Sequence, residues 1–169
     1  MLTKKNHCIG NDLDIMKPIF LMADNMNWLR KLFTKPQADI SRDTSQSNAY
    51  DIIGGDKVIR AIAHDFYQQM QQRPEAQALL AIHRSPIADS EQKLYEFLSG
   101  WLGGPQLYQQ KYGHPALRAR HMPFAIDESM REQWLMCMRA AIKNTIKKPE
   151  HQQVIIQAIS TLADNMRNR

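Results

Sequence analysis

The sequence predicts an all-α fold, and three observations carry that prediction. From Tyr50 onward, apolar side chains recur at three- and four-residue intervals in successive segments. Glycine and proline clusters, Gly54-Gly55 and Gly103-Gly104-Pro105 among them, interrupt these segments at helix-length distances. Nowhere do apolar and polar residues alternate as a half-buried strand requires. At 169 residues and 43% hydrophobic content, the chain has room for one domain with a sizeable core and a tail besides.

Residues 1–48 differ in texture and are expected to form an N-terminal extension ahead of a domain at 49–169. Met22, Met26, Leu29 and Phe33 fall at helical spacing with Arg30 and Lys31 among them, which predicts a short amphipathic helix docked on the domain. A basic membrane-surface segment is the rival reading of that stretch. The run TKPQADISRDTSQSN (34–48) reads as a mobile polar linker, and the internal methionines leave a later start open.

Within the domain, Gly54-Gly55 makes a turn and Asp56 is placed to cap the next helix, whose stripe is Val58, Ile62 and Phe66 with Ile59 beside it. Pro74 suits the first turn of a short helix over PEAQALLAI. Leu94, Phe97, Leu98 and Trp101 mark a helix within SPIADSEQKLYEFLSGWL, which Gly103-Gly104-Pro105 ends. Asp127 is the expected N-cap of a further helix, with Glu128 favourable to its dipole and Trp134, Met138, Ala141 and Ile142 along one side. Pro149 separates it from a last helix carrying Val154, Ile155, Ala158, Ile159 and Leu162.

A formal charge of +5 and a pI of about 9.3 raise the question of nucleic acid. The excess is spread between extension and domain. Its densest cluster beyond the tail, Arg118–Arg120, suits one small anionic ligand better than a phosphate backbone, so no nucleic-acid partner is expected. Cys8 and Cys137 lie far apart and outside any CxxC, as reduced thiols of a cytoplasmic protein would. No apolar run approaches membrane-spanning length, and acidic and polar residues break any secretory h-region.

The segment GHPALRARHMPF (113–124) holds two histidines, and imidazole is a common metal ligand. His114 precedes Pro115, which pushes it out of the helical region and into a loop or helix entry. His121 lies far enough beyond that proline to sit on a helix, with Leu117 one turn earlier on the same face and Pro123 close to its end. A helix-borne side chain is the better preorganised axial ligand. Taken alone, a helix histidine is more often a hydrogen-bonded structural residue. Zinc fits poorly, because neither cysteine has ligand spacing with either histidine. A metal held by one histidine needs a cofactor for its remaining ligands, and haem is one. Arg118, Arg120 and Lys93 offer cations for its propionates, and Leu94, Phe97, Leu98, Phe124 and Trp134 an apolar slot.

The motifs YDIIGG (50–55), DFY (65–67), FLSGWLGGPQLY (97–108), YGHPALRARHMPF (112–124) and REQWLMCM (131–138) occur in this order, and together the chain resembles a group II truncated haemoglobin. The resemblance covers residues 49–145, continues through the last helix, and implies a two-over-two helical sandwich around haem b. By that likeness His121 is the proximal ligand of iron, and Arg120 beside it meets a propionate. Tyr67 and Trp134 correspond to the distal tyrosine and tryptophan that donate hydrogen bonds to the gaseous ligand. Lys93 and Tyr108 match polar positions on the propionate side, and Leu94 and Leu98 match the distal apolar wall. His83 stands where many members have tyrosine or phenylalanine, and Ser90 where vertebrate globins have the distal histidine. Gly54-Gly55 and Gly103-Gly104 match the paired glycines that turn the shortened helices.

The resemblance implies oxygen binding, and oxygen, nitric oxide or peroxide chemistry or sensing rather than bulk transport. His83 is expected as a third donor or a proton source, and direct ligation of the iron by His83 or Tyr67 stays open. Two rivals remain: a cofactor-free helical module that docks on an acidic partner, and a haem peroxidase or nitric oxide dioxygenase. The sequence shows no flavin or nicotinamide domain, so a reductase would be a separate partner.

Overall fold

A computed structural model describes residues 48–83 and 85–169, and among them there are helices and no strands. The amphipathic segment and linker expected within residues 1–47, together with Cys8, lie outside the described residues. A short helix, α1 (Ala49–Ile53), comes first, capped by the Asn48 side chain, which accepts from the Asp51 N–H at 2.9 Å. Gly54 ends it at φ 118°, a left-handed conformation that favours glycine, and α2 (Gly55–Gln72) starts at the next residue. Asp56 therefore does not cap α2. Its carboxylate, one turn inside, accepts from the Tyr95 hydroxyl at 2.5 Å and from Arg60 at 2.8 Å, fastening α2 to a neighbouring helix.

Pro74 opens a 3-10 turn (Pro74–Ala76) that runs into α3 (Gln77–Ala81), so PEAQALLAI forms two short pieces. Helix α4 (Ile87–Trp101) follows. It ends where Gly104 lets the backbone pass the Tyr50 ring, since a Cβ there would lie 2.5 Å from that ring. Next come α5 (Leu107–Tyr112) and α6 (Leu117–His121), both too short to persist without support. Helix α7 (Glu128–Thr145) has Asp127 as its N-cap, accepting from the Met130 N–H at 2.8 Å, and α8 (Pro149–Asp164) begins with proline at its first turn.

The four long helices form two layers, α2 with α4 and α7 with α8, and the largest contact is α2 against α7. Ile59, Ile62, Phe66 and Met70 of α2 meet Leu135, Met138 and Ile142 of α7, all essentially without exposure. This is the two-over-two sandwich that the sequence predicts. Cys137 of α7 belongs to the same core cluster, a free thiol with no exposure, and burial pushes its pKa up. No described helix is long and apolar enough to cross a membrane.

Candidate functional site

One concavity of about 370 Å³ lies among α2, α4, α6, α7 and α8, a size that suits a cofactor or small ligand. The core stripe of α2 turns its edge to this space through Phe66 and Tyr67, and α7 contributes Trp134 one turn beyond Met130. Their rings form a connected run. Trp134 and Phe66 lie 5.3 Å apart between centroids, Phe66 and Tyr67 4.9 Å edge to face, and Tyr67 and His83 5.7 Å edge to face. On this side Leu94 and Ser90 of α4 complete the wall.

Helix α6 supplies another part of the lining. His121 Nδ1 sits 2.6 Å from the Leu117 carbonyl oxygen one turn earlier. A carbonyl only accepts, so Nδ1 carries the proton and the lone pair of the neutral ring is on Nε2. His83 repeats this arrangement, with Nδ1 2.9 Å from the Leu79 carbonyl. Both histidines line the cavity, and each therefore keeps Nε2 for something other than its own backbone. His114 is different: it is exposed, and its Nδ1 accepts from the Ala116 N–H at 3.1 Å, a turn residue as its neighbours dictate.

At one edge the wall becomes polar. Lys93 and Arg120 are exposed there and Tyr108 is buried, its ring tilted against that of Tyr112 with centroids 4.8 Å apart. Arg120 also donates to the Pro115 carbonyl at 2.9 Å, which steadies the entry to α6. Phe97 and Phe124 join the lining as well.

Leu98 and Arg118 stand apart from the rest of the sequence-derived set. Leu98 is 2% exposed and belongs to the core cluster, and it is not among the residues that line the cavity. Arg118 donates to the carbonyls of Asn165 at 2.6 Å and Arg167 at 3.1 Å, so it binds the chain after α8. Other lining residues escaped sequence reasoning. Ile126 and Met166 sit in irregular segments with no periodicity to point to them. Arg131 reads as a surface charge, yet its side chain is 15% exposed, ion-paired with Asp164 at 3.0 Å and Glu132 at 3.2 Å, and its Nε has no partner.

A second, shallower groove of about 350 Å³ lies between α2 and α4. Its charges are already satisfied, Arg60 by Asp56 and the Tyr95 hydroxyl, and His64 by Glu91 at 3.1 Å.

Residues 48–168 match the sequence profile of the family described as bacterial-like globin. The chain belongs to this family. Among solved structures, the cold-adapted truncated haemoglobin of the Antarctic bacterium Pseudoalteromonas haloplanktis TAC125 is 41% identical, with a TM-score of 0.71 over 73% of this chain and 99% of that one. The group II 2-on-2 haemoglobin of Agrobacterium tumefaciens is 40% identical, also at 0.71, over 76% and 98%. The truncated oxygen-avid haemoglobin of Bacillus subtilis is 31% identical at a TM-score of 0.66, over 72% and 100%. This globin is thus of the group II truncated type.

Haem b is the cofactor of the family, and the residues present fit it. A flat macrocycle with two carboxylates needs an apolar slot, cations on one edge and one axial lone pair. The cavity supplies each: Phe97, Leu94 and Trp134 as apolar wall, Lys93 and Arg120 at the polar edge, and Nε2 of His121. Among the described residues no group of three or more metal-ligating side chains exists, so a metal held by one histidine needs a cofactor for its other ligands.

Proposed function

We propose that this globin binds oxygen and other small diatomic ligands at haem b held by His121, and retains them rather than delivering them in bulk. The observation that carries the reading is the uncommitted Nε2 of His121 in a cavity that Tyr67 and Trp134 also line. When bound, haem b supplies an iron that takes up such molecules reversibly.

The chain's own residues do the rest. The Leu117 carbonyl fixes the tautomer of His121, so Nε2 is a lone pair and never an N–H while the ring is neutral, and it is the atom that would hold the iron. Tyr67 offers a hydroxyl proton. Burial pushes its pKa well above the ordinary tyrosine value, a hydrogen bond with Ser90 works against that, and Glu91 adds to it, so the group stays a donor near neutral pH. Trp134 offers an indole N–H with no hydrogen-bond partner among the described residues. Two donors aimed at a ligand with partial negative charge, in a mostly apolar cavity, slow its departure. The relative from Bacillus subtilis, described as oxygen-avid, supports this reading.

His83 departs from the role of a third donor. With its Nδ1 proton given to Leu79, its Nε2 accepts, and it donates only once the ring is protonated. Only in that protonated form would it serve as the proton source that the resemblance implies for nitric oxide or peroxide chemistry, with electrons from a separate reductase.

Absorption spectra of the purified protein, ferric, ferrous and carbonyl-bound, test the proposal. A globin-like spectrum that His121→Ala abolishes is expected. A normal spectrum in that variant rejects His121. A wild-type protein that stays colourless when haem is supplied supports a cofactor-free interaction module instead.

A further inference from the structure

The helix that carries His121 is held unusually. Helix α6 has five residues, none of them buried, and packs extensively against no other helix. It is entered through Ala116 at φ 44°, a left-handed conformation that is strained for a non-glycine residue. So short a piece has no stability of its own. Something else must fix it, and the chain after α8 does.

Asn168 is bonded into the loop at nearly every site its side chain has. Its Nδ2 donates to the His121 carbonyl at 3.2 Å and the Phe124 carbonyl at 2.9 Å. Its Oδ1 accepts from the Ile126 N–H at 3.0 Å, and its backbone N–H donates to the Ile126 carbonyl at 3.0 Å. Two acceptors on one side and one donor on the other leave a single sensible orientation for the amide. Arg118, from within α6, reaches the other way to the carbonyls of Asn165 and Arg167. Residues 165–169 and 117–126 are thus stitched together in both directions.

We propose that Asn168 is a positioning residue for His121: the segment 165–169 clamps α6 and sets where the imidazole stands in the cavity. The inference rests on the reading of His121 as the axial ligand. The ring is tied to Leu117 inside α6, so helix and imidazole move as one body. Asn168 holds the carbonyl of His121 itself, and the clamp acts on the liganding residue without touching the ligand.

The test uses the full chain with haem b, as Asn168→Ala, Asn168→Asp and Gln152→Ala. Gln152 bonds the Ile146 carbonyl at 2.7 Å and the Lys143 carbonyl at 3.3 Å, so its loss weakens the start of α8 without touching α6. The readouts are the iron–histidine stretching band of the ferrous, ligand-free protein and the rate of haem transfer to an acceptor apoprotein. Asn168→Ala is expected to shift or broaden the band and to speed haem loss roughly tenfold, as two lost hydrogen bonds imply. Asn168→Asp, with an acceptor oxygen in place of the Nδ2 that made both bonds, does at least as much. Gln152→Ala lowers the melting temperature and leaves the band in place.

An unchanged band and transfer rate in both Asn168 variants overturn the proposal, and so does a Gln152→Ala shift as large as theirs. Amide hydrogen exchange in the haem-free chain separates this from the fate of the haem assignment. Asn168→Ala should accelerate exchange across residues 117–126 roughly tenfold relative to the rest of the molecule. Uniform exchange there overturns the clamp even if haem binds as proposed.

Discussion

The two walls of the cavity are built by opposite means. Tyr67 and Trp134 project from α2 and α7, eighteen-residue helices whose mutual contact is the largest in the molecule. His121 projects from a five-residue helix with no buried side chain, held by backbone carbonyls, an arginine and an asparagine. One wall is rigid because apolar area is buried behind it; the other is placed because polar groups are satisfied around it. A wall of the first kind resists displacement, whereas one of the second kind can be adjusted bond by bond.

The sharpest way to break the first wall is Phe66→Ala. Phe66 is 1% exposed and touches both Tyr67 and Trp134, so its removal is expected to cost about 3–5 kcal/mol of unfolding free energy, read by denaturant titration. Next in size is Trp134→Phe, which keeps the ring and deletes the N–H. The oxygen off-rate should rise by up to about tenfold, the kinetic equivalent of one hydrogen bond, with little loss of stability. An unchanged off-rate would remove Trp134 from the donor pair.

Ala116→Gly works on the second wall. Relief of the positive φ is expected to stabilise the protein by up to about 1 kcal/mol, seen as a rise in melting temperature. The smallest expected effect lies outside both walls, at Glu96. Burial works to raise its carboxyl, but hydrogen bonds from Gln92 and Lys111 and the charge of Lys111 hold it below the ordinary 4.5. A depressed folded value stabilises fully above the ordinary glutamate range and is lost as pH falls through the folded value. Glu96→Gln should flatten the acid limb of the stability curve, and an unchanged limb would show that Lys111, more than half exposed, contributes nothing there.

The rigid wall was largely legible in the sequence and the adjustable one was not. The stripes of α2 and α7 follow from helical period, because burial imposes periodicity that composition records. Tyr67, Trp134 and His121 emerge from motif order, and their convergence on one cavity follows from the sandwich. Leu98 shows the limit of a stripe: a helix face wide enough to serve both core and cavity does not say which residue meets which. Arg118 and Arg120, two residues apart, look alike in sequence. Only the chain after α8 distinguishes them, by drawing Arg118 away. The run around Asn168 is polar and reads as solvated. Its bonds go to backbone more than forty residues distant, and no local pattern encodes such a pairing.

The placement of Cys137 has a practical consequence. Its thiol lies one turn from Trp134 on the same helix, sealed in the hydrophobic core. A thiol-trapping reagent reaches it only when the core around α7 opens, so the slow phase of its modification counts excursions of the helix that carries Trp134. Anything that fills the cavity only in the closed form lengthens the wait by a factor of one plus the ratio of its free concentration to its Kd. The molecule thus carries an internal clock for its own ligand binding, and no label has to be introduced to hear it.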